Sequence, residues 1–376
     1  MSHNREKQLR RALFRGATLH LENADYLRAV RAFTAELLSS DVGSGDITAK
    51  ALGLTSSQTS SQTSSHRGAS ARVAAQVLAK TPGIAAGIAE FSWLLAQGGL
   101  CVHARKQDGA PIERGETLLE IEGERADLLL YERVGLNILQ RLSGIATMTH
   151  NLQERIRAAN SETFVVGTRK TPWGLLDKRA LQLGGGGTHR LGLWDAILVK
   201  NNHLALLASR EEDAVCIAAQ RAWACRGAAA FIEIEVRSLE SAVAAAQTFR
   251  TLRDPNRQPD REAVGESYGQ PGGQPDREPQ QPQRRDASPS DATSDATNNS
   301  PSCPCVLMLD NIPPTEVDRI LRALRAQGLL DCVLLEASGN ISENNLELYA
   351  ACGVDAVSVG ALTHSVQALD LSQRLS

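Results

Sequence analysis

The spacing of apolar residues changes period along this chain. From residue 26 to 38, Leu27, Val30, Phe33 and Leu37 recur at helical spacing. Residues 73–79 read as a strand, and 85–97 as a helix stopped by Gly98-Gly99. In 116–122, Thr117, Leu119 and Ile121 fall on one side of an alternating pattern, which reads as a half-buried strand. A long helix is expected over 126–158, bent or broken near Gly144. On it Arg133, Asn137, Gln140 and Arg141 share one face, beside an apolar face of Val134, Ile138, Leu139 and Leu142. That polar stripe is either a solvated face or a binding face, and its Asn and Gln between arginines favour binding.

From residue 164 the pattern switches to short apolar runs separated by amphipathic helical segments. The runs are 164–167, 196–199, 231–236, 306–309, 333–336 and 356–359; helices are expected at 238–250, 315–326 and 343–351. Alternation of this kind predicts parallel strands with helical crossovers. A closed barrel of this type needs eight strands, so these runs suggest an incomplete barrel or an open sheet.

Two segments fit neither pattern. Residues 55–70 are nearly all Ser, Thr, Gln and Gly, and 254–302 are rich in Pro, Gln, Asp, Arg and Ser. Neither can bury enough apolar surface to offset the entropy of ordering, so both read as disordered insertions within domains. A length of 376 residues and a hydrophobic content of 42% allow two ordinary domains. The net charge of -3 argues against nucleic acid as a partner. No run of about 18 apolar residues is present, so no membrane span is expected. With the polar start Met1-Ser2-His3-Asn4, a cytoplasmic protein is the expectation. Its seven scattered cysteines are expected to be reduced, and Cys303-Pro304-Cys305, the one close pair, carries little weight as a metal or redox motif.

Ligands of parallel α/β folds bind at the carboxyl ends of the strands. The successive runs end in Thr168-Arg169-Lys170, Lys200-Asn201, Glu235-Val236, Asp310-Asn311, Glu336-Ala337-Ser338-Gly339 and Ser358-Val359-Gly360, while Gly184-Gly185-Gly186-Gly187-Thr188-His189-Arg190 lies between the first two. Cations at the ends of buried strands need a reason to converge, and a small polyanion supplies one. Glu233 and Glu235 lie opposite Ile232, Ile234 and Val236, and Glu235 is nearer the mouth. With Asp310 from the neighbouring strand, Glu235 suits a ribose diol, a bound Mg²⁺ or both. The bland alternative is an internal ion pair to Lys170, Lys200 or Arg190. Ser338-Gly339 ahead of a helix start, with Gly360 on the following strand, reads as a phosphate site.

These residues resemble the quinolinate phosphoribosyltransferase (decarboxylating nicotinate-nucleotide pyrophosphorylase) family. The matching motifs are Gly45-Asp46-Ile47-Thr48, Glu132-Arg133 with Leu136-Asn137 through Ser143-Gly144-Ile145-Ala146-Thr147, Thr168-Arg169-Lys170-Thr171, His189-Arg190, Lys200-Asn201-Asn202-His203, Glu233-Ile234-Glu235, Leu309-Asp310-Asn311, Glu336-Ala337-Ser338-Gly339, and Gly353-Val354-Asp355 to Gly360-Ala361-Leu362-Thr363-His364. They run in order over nearly all of the chain outside the insertions and the extreme N-terminus.

The resemblance implies an α/β fold: an N-terminal α/β sandwich domain over 19–145 and an open, six-stranded parallel α/β barrel over 146–364. A tail at 365–376 could pack back on the first domain. It implies transfer of phosphoribosyl from phosphoribosyl pyrophosphate to quinolinate with decarboxylation, giving nicotinate mononucleotide, CO₂ and pyrophosphate, a step of NAD biosynthesis that uses Mg²⁺. Lys170, Glu235 and Asp310 would be catalytic. Arg133, Arg169, Lys170, His189, Arg190 and Lys200 would bind quinolinate, Arg133 reaching the neighbouring site of a homodimer. Lys200, Glu235, Asp310, Ser338, Gly339 and Gly360 would bind the phosphoribosyl group. Glu235 and Asp310 would serve the metal, directly or only via water or substrate. Gly45–Thr48 would be structural. Asn340, where many relatives have a second Gly, would alter the phosphate loop slightly, and Pro172-Trp173 is a variant expected near the substrate. The competing readings are a phosphoribosyltransferase for another pyridine carboxylate such as nicotinate, and a non-catalytic relative linked to molybdate transport. A monocarboxylate does not need so many cations, and no catalytic acid or lysine is lost.

Overall fold

The computed structural model describes residues 2–54, 72–254 and 303–375. The two low-complexity segments expected to be insertions lie almost wholly outside the described residues.

Helix α1 (His3–Leu13) begins in the polar N-terminal stretch, yet it buries Leu9, Ala12 and Leu13. Helix α2 (Ala24–Val42) follows, capped by the Asn23 side chain. Asp46 caps the short α3 (Ile47–Ala51), its carboxylate accepting the Ala49 N–H at 2.9 Å. Strand β1 (Arg72–Ala79) leads to helix α4 (Ile88–Gln97). This helix begins later than the apolar spacing predicts. Gly87 sits at φ 92, which breaks the helix, and the Asp108 carboxylate takes the freed N–H groups of Ile88 and Ala89. Strands β2 (Cys101–Ala104) and β3 (Thr117–Glu124) complete this part of the sheet.

Helix α5 (Arg125–Ala158) is one element of 34 residues, without the expected break at Gly144. Gly144 serves a different end. A Cβ there would come within 2.2 Å of the Gln367 carbonyl oxygen, so glycine lets the C-terminal segment lie directly on the helix.

The second half alternates strand and helix. Strands β4 (Phe164–Val166), β5 (Ile197–Val199), β6 (Ile232–Val236), β7 (Cys305–Asp310), β8 (Leu334–Ser338) and β9 (Ala356–Ser358) form one parallel sheet, ordered β4-β9-β8-β7-β6-β5. β4 and β5 are its two edges, so the barrel is open. Helix α6 (Leu175–Leu183) and the glycine run lie in the gap, where Gly187 makes an isolated parallel bridge to Val166. Alternate strand residues divide between two clusters. Ile232, Ile234, Val236, Leu307, Leu309 and Leu335 join the large core packed on the helices. Val166, Val306, Leu334 and Ala356 face inward and meet Leu9, Ala12 and Leu13 of α1, which plugs the amino end. Arg5 fixes that plug with a bidentate contact to Asp355, both distances 2.5 Å.

The last strand, β10 (Leu371–Leu375), pairs antiparallel with β1, giving a four-stranded sheet ordered β10-β1-β3-β2. Among the described residues none of the seven cysteines is in a disulfide. Cys303 and Cys305 are buried, and burial pushes the Cys305 thiol up to about 12, which keeps it protonated and unreactive.

Candidate active site

The carboxyl ends of the barrel strands enclose a cavity of about 630 Å³. Residues from both sheet edges line it, Lys170 after β4 and Lys200 after β5, so the sheet must curl far enough to bring its ends round one space. Arg169, His189, Arg190, Asp310, Ser338 and Gly339 line the same cavity. Among the described residues, Arg169, Lys170, Arg190 and Lys200 form no ion pair with the protein. Arg190 is buried at 6% exposure, and its pKa is lowered by burial and by the charge of Arg169. Cations crowded in this way, with no acid in direct contact among the described residues, are stabilised by an incoming anion.

Two acids stand at the ends of the neighbouring strands. Glu235 leaves the cavity wall to Asp310 and lies just behind it, 5% exposed. Its carboxylate accepts a hydrogen bond from the Asn201 amide and shares another with Asp310. Burial and then the Asp310 charge raise its pKa. The ion pair to Lys170, Lys200 or Arg190 considered from sequence does not form. Two carboxylates at a cavity mouth fit a hard cation held largely by water and ligand phosphates.

His189 occupies the floor, at φ 55 in the left-handed region. Its Nδ1 accepts the Arg190 N–H at 2.7 Å, so the Nε2–H faces Glu233 at 3.0 Å and Glu336 at 3.4 Å. Both ring nitrogens are thus engaged within the protein, while the ring still lines the cavity, and against the effect of burial the charges of Glu336 and Glu233 raise its pKa to about 9. Glu233 and Glu336 are fully buried, and burial with the neighbouring Glu336 charge raises the Glu233 pKa. Lys178 of α6, also fully buried, donates to the Thr188 carbonyl. Burial chiefly lowers its pKa to about 7. Glu336 was legible in the sequence, since it stands two places before Ser338 and so points to the same side. Nothing in the sequence marked Lys178.

The phosphate loop differs from expectation. After Ser338 the chain turns rather than starting a helix. The next helix, α7 (Leu346–Ala351), begins later, and the Asn345 side chain takes the Ser342 N–H at 2.8 Å. Gly339 at φ 87 and Asn340 at φ 52 make the turn, and Asn340 donates to Asn311 at 3.0 Å. Gly360 lies behind Lys170: a Cβ there would sit 3.6 Å from Lys170 Cδ. Trp173 does not line the cavity; it packs on Phe33 of α2, ring centroids 4.9 Å apart. Of the polar stripe on α5, Arg133 and Asn137 are exposed outside this cavity, Gln140 donates to the Leu371 carbonyl, and Arg141 pairs with Asp177.

Residues 46–143 match the family described as quinolinate phosphoribosyl transferase, N-terminal domain, and residues 145–251 and 289–374 match its C-terminal domain. A probable nicotinate-nucleotide pyrophosphorylase [carboxylating] of Methanothermobacter thermautotrophicus is 31% identical, over 90% of this chain and 95% of that protein. The nicotinate-nucleotide pyrophosphorylase [carboxylating] of Homo sapiens is 30% identical, over 78% and 80%. A crystal structure of NadC from Streptococcus pyogenes superimposes with a TM-score of 0.65 at 26% identity, covering 92% of this chain and 96% of that one. With both halves of the sequence matched and the strand ends converging on one cation-lined cavity, the chain belongs to the quinolinate phosphoribosyltransferase family.

Proposed function

We propose that this protein transfers phosphoribosyl from phosphoribosyl pyrophosphate to the ring nitrogen of quinolinate and releases the 2-carboxylate as CO₂, leaving nicotinate mononucleotide and pyrophosphate. The relatives' name describes the same equilibrium in reverse. The observation that carries this reading is the set of four cations, Arg169, Lys170, Arg190 and Lys200, that line one cavity with Asp310 and form no ion pair among the described residues, with Glu235 held against Asp310 just behind the wall.

In this reading Arg169, Arg190 and Lys200 hold the dicarboxylate, and Lys170 lies between it and the Gly360 loop. Held so, the nitrogen lone pair is aimed at the anomeric carbon. The bond to pyrophosphate breaks as the new C–N bond forms, and Glu235 and Asp310 offset the positive charge that develops on the sugar. The pyridinium then accepts the electron pair left when the carbon–carboxylate bond breaks, and a proton from solvent completes the product. Ser338, Gly339 and Gly360 line the place for the phosphoribosyl phosphate. Glu235 and Asp310 would hold Mg²⁺, directly or through water, and the ion when bound neutralises diphosphate charge. His189 supports the floor and orients Arg190.

Arg133 faces away from the cavity of its own chain, in keeping with service to a neighbouring site in a homodimer. Among the described residues no helix is long and apolar enough to cross a membrane, consistent with a cytoplasmic enzyme. A nicotinate-specific enzyme would leave part of this cation set without a carboxylate. The test is purified protein with quinolinate, phosphoribosyl pyrophosphate and Mg²⁺, nicotinate serving as control. Product is expected from quinolinate alone, and Lys170→Ala should abolish it while the fold survives. Wild-type turnover in that variant rejects the role of Lys170.

A further inference from the structure

Arg169 and Lys170 ride on a loop that the sheet holds poorly. Strand β4 has three residues, and among the described residues, as an edge, it pairs only with β9 apart from the single bridge to Gly187. The loop is held from behind by a buried polar clamp. Asp177 of α6 is fully buried and receives Arg141 of α5 bidentately, at 2.9 Å from Nε and 2.8 Å from the terminal nitrogen. The same carboxylate accepts the Thr171 hydroxyl, and the Trp173 N–H at 3.4 Å. Arg141 donates further to the Thr363 carbonyl at 2.7 Å, and the Thr363 hydroxyl donates to the Lys170 carbonyl at 2.7 Å. The guanidinium also lies 5.1 Å from the Trp173 ring centroid.

One ion pair thus joins the loop after β4 to the loop after β9. A carboxylate this deep must be paired, so its geometry is fixed by the arginine and not by solvent. Both Asp177 oxygens accept from the arginine, one of them also from the loop, and Asp177 does not line the cavity.

We propose that Arg141, Asp177, Thr171 and Thr363 are positioning residues, which together set where Lys170 stands relative to Gly360. What Lys170 does when correctly placed rests on the phosphoribosyl transfer reading above. The clamp itself rests on the contacts alone.

The experiment uses full-length protein with Thr171→Val and Thr363→Val, singly and together. Each removes one hydroxyl donor and leaves the ion pair in place. The double variant is expected to lose at least about tenfold in kcat, as small misplacement of a reacting group does. KM for quinolinate and the thermal midpoint should stay near wild type. Thr171→Ser and Thr363→Ser restore the hydroxyl and should restore the rate. Wild-type kcat in the double Val variant overturns the proposal. So does a loss of rate that tracks a fall in thermal midpoint equally in the Val and Ser variants. Amide hydrogen exchange gives a readout independent of turnover: exchange over residues 168–174 should accelerate in the Val variants and not elsewhere, and an unchanged pattern overturns the clamp. If wild type makes no product from quinolinate while that local acceleration is seen, the reaction assignment fails and the clamp stands.

Discussion

The Nε2 atom of His189 lies 3.0 Å from a carboxylate oxygen of Glu233, at the floor of the cavity and away from solvent. Glu336 approaches the same nitrogen at 3.4 Å. His189 itself is in a left-handed conformation, and the next residue, Arg190, lines the cavity.

Glu233→Ala removes one of two acids from a sealed group of charges. His189 keeps Glu336 at 3.4 Å as its counter-ion, so the cost is that of one buried charge-assisted hydrogen bond, about 1.5–3 kcal/mol. Denaturant unfolding should show that loss as a lower midpoint with an unchanged slope. A shift under about 1 kcal/mol, the size expected of a surface pair, would contradict the buried pairing.

Lys178 predicts a pH dependence. Its pKa is lowered to about 7 in the fold, chiefly by burial, from 10.5 when free. Between these values the unfolded chain keeps a proton that the folded chain has released. Stability therefore rises with pH across that window, and the penalty for burying the ammonium is felt in full below pH 7. Lys178→Met abolishes the effect. The stability of wild type relative to this variant should climb from pH 7 to 9, by at most about 1.4 kcal/mol per pH unit. Urea unfolding at three pH values measures it, and a flat or falling difference would contradict the lowered pKa.

Much of this site could be read from the sequence because strands advertise their ends. An apolar run followed by polar residues places those residues at the barrel mouth, and this was enough for Arg169, Lys170, Lys200, Asp310 and Ser338. Strand alternation separated Glu233 from Ile232 and set Glu235 nearer the mouth, and applied once more it would have found Glu336. Helical positions carry no such mark. Lys178 and Asp177 look like ordinary surface residues, and Arg141 like part of a binding stripe, until the helices carrying them are packed together. Helix α1 was missed for a related reason, since only Leu9, Ala12 and Leu13 betray its buried face. The break expected at Gly144 confused two uses of glycine, conformational freedom and close approach, and only the second applies.

Gly339→Ala tests the phosphate loop. At φ 87 a side chain is strained, and a Cβ would stand 2.3 Å from Asn311 Oδ1 and 2.8 Å from Asn311 N. Accommodating it should cost about 1–3 kcal/mol of local strain and shift both loops. KM for phosphoribosyl pyrophosphate is expected to rise well beyond any change in KM for quinolinate. Equal changes in both would mean that the loop does not meet the phosphoribosyl group.

Arg169→Ala addresses the cations. It removes a guanidinium from the cavity without unpairing any protein acid, since Arg169 forms no ion pair among the described residues. The loss should fall on ligand binding, at roughly 2–5 kcal/mol of kcat/KM for quinolinate. Thermal stability should hold or improve, because Arg190 loses a like-charged neighbour. A lower thermal midpoint would show that the guanidinium serves the fold and not the ligand.

Arg133 allows a test by mixing. The side chain is exposed on α5 and absent from the cavity of its own chain. If it completes the site of a second copy, Arg133→Ala and Lys170→Ala should each be nearly inactive alone. When the two variants are unfolded together and refolded, mixed dimers form. In these the Arg133→Ala subunit keeps its own Lys170 and receives Arg133 from its neighbour, so one site per mixed dimer is whole. Activity should reappear on mixing and be absent when the variants are refolded apart. If Arg133 acted within its own chain, the mixed dimer would contain one subunit lacking each group and no complete site, and mixing would restore nothing.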